Sequence, residues 1–254
     1  MADARRPRRR VHARSEGVTG DLVYGRRAVR EALRGRREVL EVWATERAAK
    51  AEPWLADAKP RPKAERDLSE LAGTRDHQGV VARVEPYRYA DAYELARAER
   101  PLLAVLDRVT DPRNLGAVCR SADGAGATGV VVPAHGSAVV TPAVARASAG
   151  AVEHLPVAVV TNLARYLEEV KRGDLWVYGA AGDGVPMWDS DLSGGAALVF
   201  GSEGKGLRPL VRRTCDALVS IPLEGQVESL NVSVAAAVLL YEAGRQRAGA
   251  TRAS

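Results

Sequence analysis

Apolar residues along this chain fall into two patterns, and the change between them comes near Pro101. From there on, continuous apolar runs recur: LLAVL (102–106), VVV (130–132), VAVV (157–160), LWVYGA (175–180), ALVF (197–200) and LVSI (218–221). Between them lie stretches with helical periodicity, at 114–123, 141–149, 162–172, 207–214 and 231–247. Strands that are apolar throughout and alternate with helices predict a largely parallel sheet covered on both faces. Such sheets bind their ligands beyond the carboxyl ends of the strands. The loops that follow the apolar runs are therefore where chemistry is to be sought.

Before Pro101 the elements are shorter and more polar. Residues 21–88 read as a small mixed α/β unit. It has a helical stretch at Val29–Leu33, a strand at 39–45, a helix at 51–58, a helix then a turn at 69–78, and a strand at 79–84. Residues 86–101 are polar and partly helical, with the linker itself at 89–101. The predicted organisation is a tail (1–20), a small unit (21–88), the linker, a larger α/β domain (102–247) and a C-terminal tail (248–254).

Charge changes this picture at two places. Lys and Arg number 37 against 32 Asp and Glu, a net charge of +5. Residues 1–20 hold six Arg against Asp3 and Glu16, so +4 sits in a segment with almost nothing to bury, which predicts disorder. That Arg run either contacts phosphates or is a solvated tail, or marks a start codon assigned too early. The window 26–37 carries six Arg and one Glu, so one helix face is basic. A solvated face and an RNA-contacting face are both open readings. No apolar run approaches the ~18–20 residues of a membrane span, and no apolar stretch follows the charged N-terminus as in a secretory signal. Two cysteines, Cys119 and Cys215, fit a reducing cytoplasm better than a disulfide framework. The four histidines show no metal-ligand spacing, so no metal is predicted.

Two glycine-rich segments imitate nucleotide-binding motifs. GAGATG (124–129) has the letters of the dinucleotide fingerprint, but a helix precedes it and a strand follows, the reverse of what pyrophosphate binding needs. It reads as a helix end and turn. GSEGKG (201–206) resembles a Walker A loop, yet Val199 stands at the first Gly position and Gly206 where Ser or Thr should hold magnesium. Ser202 lacks the context of a hydrolase nucleophile.

Three other loops combine glycine with unusual polar residues after strands: DRVTDPRNLGAVCRSA (107–122), GSEGKGL (201–207) and IPLEGQVESLNVS (221–233). Each polar residue has a bland reading too. Ser229 or Asn231 can cap the last helix, Arg120 can pair with a carboxylate, and Glu203 can be a solvated loop residue. Three such loops in one sheet carry more weight than one.

These three segments resemble the three motifs of the SpoU (TrmH-like) class of RNA 2′-O-ribose methyltransferases in the SPOUT superfamily. The resemblance covers roughly residues 21–247. YGRRAVREAL (24–33) and DHQGVVARV (76–84) are similar to that family's substrate-binding domain. Within the family the likeness is to the RlmB-type enzymes, which methylate a guanosine ribose in large-subunit (23S) rRNA. The resemblance implies an α/β fold: a C-terminal trefoil-knot domain behind a small ribosomal-protein-like RNA-binding domain. It also implies a cytoplasmic homodimer using S-adenosylmethionine. Carried onto this chain, it makes Gly201, Ile221 and Leu230 cofactor-binding and Asn114, Arg120, Glu203, Ser229 and Asn231 catalytic. The partner is rRNA rather than DNA, since only RNA has the 2′-hydroxyl. Arg26, Arg27, Arg30 and Arg34 then become phosphate contacts. A guanidinium is a poor base, so the role expected of Arg120 is to clamp a phosphate and stabilise the developing alkoxide, with Asn114, Glu203 and Asn231 orienting it and the substrate. Rival expectations are a tRNA or another rRNA site as substrate, and a non-catalytic ribosome assembly factor of the same fold.

Overall fold

A computed structural model describes residues 20–171 and 175–253. The expected tail, apart from Gly20, lies outside the described residues.

The N-terminal unit contains β1 (Asp21–Tyr24), α1 (Arg26–Ala32), β2 (Val39–Ala44), α2 (Glu46–Ala51), α3 (Trp54–Asp57), β3 (Arg61–Pro62), α4 (Glu65–Ala72) and β4 (Val80–Val84). Its sheet runs β1-β4-β2-β3, with β4 antiparallel to both β1 and β2. Thr45 opens α2 by accepting a hydrogen bond from the Ala48 amide. The helix expected at 51–58 is split because Pro53 has no N–H to continue α2.

The larger domain alternates strands and helices: β5 (Leu102–Asp107), α6 (Pro112–Gly124), β6 (Gly129–Pro133), α7 (Pro142–Ala147), β7 (Val157–Val160), α8 (Leu163–Val170), β8 (Leu175–Pro186), β9 (Gly195–Gly201), α9 (Pro209–Thr214), β10 (Ala217–Ser220) and α10 (Val232–Ala253). The six strands form one parallel sheet in the order β10-β8-β9-β5-β6-β7. β5 and β6 are buried along their whole length, as their unbroken apolar sequence predicts. GAGATG is the end of α6 and a turn, with Gly126 at φ +72°, followed by β6. No helix among the described residues is long and apolar enough to cross a membrane.

Three features differ from the sequence-based picture. The stretch 86–101 is not a free connector: α5 (Ala92–Ala96) buries Leu95, Ala90 bridges to Ala158 of β7, and Tyr87 and Tyr89 pack edge to face on each other and against the core. Residues 248–253 are not a separate tail but continue α10. The two units also share one apolar core, in which Val23, Ala28 and Val29 join Leu115, Val118 and Val144. Across that junction Arg37 (8% exposed) forms a two-pronged ion pair with the fully buried Glu153, at 2.9 and 2.5 Å, and also reaches Asp21.

Candidate active site

The sheet order brings the first two motif loops side by side. β5 and β9 are neighbours, and their last residues, Asp107 and Gly201, are register partners. Asp107 is fully buried, and its carboxylate takes the Arg208 backbone N–H (2.8 Å) and Nε (2.6 Å), tying the end of β5 to the residue after the second motif. Gly201 has no room for a side chain, because a Cβ there would overlap the backbone of Gly206 and Leu207 where the loop folds back on itself. Ser202 and Gly206 close that loop with paired backbone hydrogen bonds.

Three polar side chains from three loops meet above this junction. Asp111 caps α6 by accepting from the Arg113 amide, and Pro112 opens the helix, which fixes Asn114 in the first turn. Asn114 Nδ2 donates to Glu203 Oε1 at 2.8 Å. Asn231 Nδ2 donates to the same Glu203 oxygen at 2.5 Å and to Asn114 Oδ1 at 3.1 Å. Asn231 Oδ1 accepts from the Ser233 amide and hydroxyl at the start of α10. The capping role and the site role therefore belong to one residue. Glu203 Oε2 has no hydrogen-bond partner among the described residues and is free to accept one.

Of the other residues singled out, Ile221 is half-buried, and Ser229 and Leu230 are exposed on the loop that precedes α10. Main-chain groups from Pro222 to Leu230 make no hydrogen bond among the described residues. Leu223, Val227 and Leu230 are exposed on the same stretch. Open backbone donors and acceptors mixed with apolar side chains can hold a ligand that is itself part polar and part flat and apolar.

Arg120 is not part of the Asn114–Glu203–Asn231 cluster. Six residues along α6 at about 100° each turn it roughly 120° away from Asn114, and it lines a groove of about 860 Å³ between α6, α7 and the N-terminal unit. Within one chain Asn114 and Arg120 are therefore split, with the polar cluster on one side of α6 and Arg120 on another. Arg26, Arg27 and Arg30 line the same groove as Arg120. Arg34 lies outside it and sits 3.5 Å from Glu31. Cys119 on α6 is fully buried, and burial pushes its thiol up to about 12, so it stays protonated and is no nucleophile.

Sequence reasoning missed Asp107 and Arg208, whose only signal is a carboxylate ending an apolar strand. It also missed Arg113 and Arg146, which join the groove from α6 and α7. No group of His, Cys, Asp and Glu suited to a metal ion occurs among the described residues.

Comparison with known proteins matches both parts of the chain. Residues 101–241 fit the SpoU rRNA Methylase family, and residues 22–90 fit the RNA 2′-O ribose methyltransferase substrate-binding family. The 23S rRNA (guanosine-2′-O-)-methyltransferase RlmB of Pseudomonas putida is 43% identical over 242 residues, covering 89% of this chain and 97% of that protein. The crystal structure of the SpoU methyltransferase AviRb from Streptomyces viridochromogenes, in complex with the cofactor AdoMet, superposes with a TM-score of 0.77. It is 30% identical and covers 91% of each chain. A structure concerned with 2-OH methylation of C/U34 on tRNA superposes with a TM-score of 0.53 at 30% identity, covering 59% of this chain and 98% of its own. With both its domains matched and its three motif loops meeting at one end of a parallel sheet, the chain belongs to the SpoU family of RNA 2′-O-ribose methyltransferases.

Proposed function

We propose that this protein methylates the ribose 2′-oxygen of a guanosine in 23S rRNA, with S-adenosylmethionine as donor and as a homodimer in the cytoplasm. The observation that carries the chemistry is the Asn114–Glu203–Asn231 cluster, closed from three loops beside an open loop of main-chain donors and acceptors. RlmB of Pseudomonas putida supports the substrate, since its name states a guanosine in 23S rRNA. The tRNA-directed structure covers only 59% of this chain, too little to include a counterpart of the N-terminal unit as well as the larger domain, which favours rRNA over tRNA.

The residues present fit the donor. The backbone of 222–230, together with Gly201, half-buried Ile221 and exposed Leu230, offers polar main-chain groups for an amino-acid end and apolar surface for a purine. When bound, S-adenosylmethionine supplies an electrophilic methyl group on a sulfonium. The chain's task is to hold the 2′-oxygen in line and stabilise its developing charge. Glu203, fixed by two amide donors, keeps Oε2 free to accept a hydrogen bond from a ribose or cofactor group. Asn114 and Asn231 hold that carboxylate in place. Arg120 clamps a substrate phosphate and offsets charge on the departing proton's oxygen. Ser229 on the open loop contacts the substrate or donor. The knot implied by the family resemblance would form where α10 follows the 201–207 and 221–231 loops. The split between Arg120 and the polar cluster supports a dimer, since a second copy can bring an Arg120 to the cofactor loops that its own chain does not reach.

The test is methyl transfer from labelled S-adenosylmethionine to unmodified large-subunit rRNA and to bulk tRNA, with Arg120→Ala alongside and nucleosides identified by mass spectrometry. The expected product is 2′-O-methylguanosine in rRNA, lost in the variant. Label in tRNA alone would move the substrate to tRNA, and absence of cofactor binding would leave an assembly factor.

A further inference from the structure

Asp107 stands where two of the three motif loops meet. The first begins directly after it: the chain turns at Arg108 (φ +63°) and reaches Asn114 in the first turn of α6. The second begins at Gly201, the register partner of Asp107 across β5 and β9. It ends at Arg208, whose backbone N–H and Nε both donate to the Asp107 carboxylate. One fully buried residue therefore receives both ends of the 201–207 loop and is also the origin of the loop that carries Asn114.

Little else anchors the second loop to the sheet. Residues 203–206 are exposed, with Gly204 and Gly206 at φ +74° and +63°. The backbone pairing of Ser202 with Gly206 sets the shape of the loop and not its place. Leu207 is buried in the apolar cluster that includes Leu163, Leu167 and Val211, but an apolar contact fixes no direction. At the tip, Glu203 is held by Asn114 and Asn231, which belong to the other two loops. An ion pair with a fully buried acid is a weak source of stability, since apolar side chains of similar volume often serve as well. What the pair adds is direction. The carboxylate accepts from two donors of one residue, so backbone and side chain of half-buried Arg208 are fixed together. Neither residue lines the groove that holds Arg120.

We propose that Asp107 and Arg208 are positioning residues for methyl transfer: the pair sets the height of the 201–207 loop above the sheet, and with it the place of Gly201 and Glu203 relative to Asn114 and to bound S-adenosylmethionine. This deepens the methyltransferase reading and rests on it. Both residues act through the loop backbone and Glu203, without touching the methyl group or the ribose. A shift of about 1 Å in a reacting group costs about a hundredfold in rate, so loosening the pair is felt in cofactor binding and turnover beyond its effect on folding.

The test compares the full-length wild type with Arg208→Ala, Asp107→Asn and their double variant. Arg37→Ala is the stability control, because it breaks a buried ion pair at the domain junction and not at the loop. Hydrogen exchange of the protein without S-adenosylmethionine, read by mass spectrometry over residues 198–208, should quicken about tenfold or more in the pair variants and stay at the wild-type rate in Arg37→Ala, since loops exchange by local opening. By calorimetry the Kd for S-adenosylmethionine should rise about tenfold or more in the pair variants, and the double variant should fall within about threefold of the weaker single one, as both act through one contact. In rRNA methyl transfer with saturating S-adenosylmethionine, Arg208→Ala should lower kcat roughly tenfold to a hundredfold and leave KM for RNA within about twofold. Should Asp107→Asn fail to fold, Arg208→Ala, which keeps the backbone N–H bond, decides alone. Weaker cofactor binding with unchanged loop exchange would make Arg208 a direct contact and overturn the proposal. Equal losses in Arg37→Ala, or wild-type binding and turnover in Arg208→Ala, would overturn it as well. A wild type that binds no S-adenosylmethionine, with loop exchange still quickened in Arg208→Ala, would overturn the methyltransferase reading and leave the pair as the pin of the loop.

Discussion

Asn231 is pulled from both ends of one side chain. Its oxygen caps α10 through Ser233, and its amide nitrogen holds Asn114 and Glu203. Asn231→Asp keeps the cap but loses the donor and sets a second carboxylate against Glu203. Methyl transfer should fall roughly tenfold to a hundredfold, the worth of a hydrogen bond to a charged group, while urea denaturation shows a stability change under about 1 kcal/mol. Asn231→Ala should lose the cap as well, about 1 kcal/mol in the same urea experiment. The polar residues of this cluster were legible through the likeness of their three loops to the family's motifs, although of the three only Glu203 has a glycine beside it. The helical repeat turns Arg120 away from Asn114, but the groove it lines was not legible, since that groove forms only where the N-terminal unit docks. Buried acids set the alkaline limit. Burial pushes Cys119 up to about 12 and Cys215 up to about 11, and it raises the Tyr87 and Tyr166 hydroxyls as well. The folded state then keeps protons that the unfolded chain releases above about pH 9, so stability is level below pH 9 and falls as pH rises, by roughly 1.4 kcal/mol per unit for each such group. Urea midpoints measured between pH 7 and 11 check this, and a flat profile would contradict it.

At the scale of elements, the site is a property of strand order. The central position of β5 beside β9 sets Asp107 next to Gly201, so two loops far apart in sequence share one backbone junction. Gly201→Ala must push the 201–207 turn away from that junction. It should abolish S-adenosylmethionine binding by calorimetry while the far-ultraviolet circular dichroism stays that of the wild type. Arg208→Ala removes the side chain that pairs with buried Asp107 and leaves only the backbone N–H as partner. Because Arg208 is itself 42% exposed, the cost should be below that of a wholly buried pair, about 2 kcal/mol by urea denaturation. The six parallel strands were readable from their apolar runs alone. The two-residue β3 was not, as Arg61 and Pro62 are both exposed and carry no strand pattern. β8 runs on to Pro186, past the expected end at 180, through a polar, glycine-containing stretch whose pairing with β10 shifts register at Leu218/Val219.

For the whole molecule, the decisive contact is the one between the domains. Glu153 is fully buried and compensated by Arg37 from the other unit. Arg37→Ala would strand that charge at a cost of roughly 3 kcal/mol. Scanning calorimetry should show one transition in the wild type, because the apolar core is continuous, and a lower or split transition in Arg37→Ala. Composition and local pattern gave two units and a connector, since docking is a long-range matter of which charges find each other. Only in the docked molecule does Arg146 of the larger domain lie against Gly25 at the start of α1, where a Cβ would come within 2.6 Å of it. The order of the parts along the chain has a further consequence. Every residue of the groove, from Tyr24 to Ala149, precedes β7, β8, β9 and β10, whereas Asn231 follows all of them. Synthesis proceeds from the N-terminus and domains fold as they emerge, so a nascent chain completes the arginine-lined groove before it can close the Asn114–Glu203–Asn231 cluster.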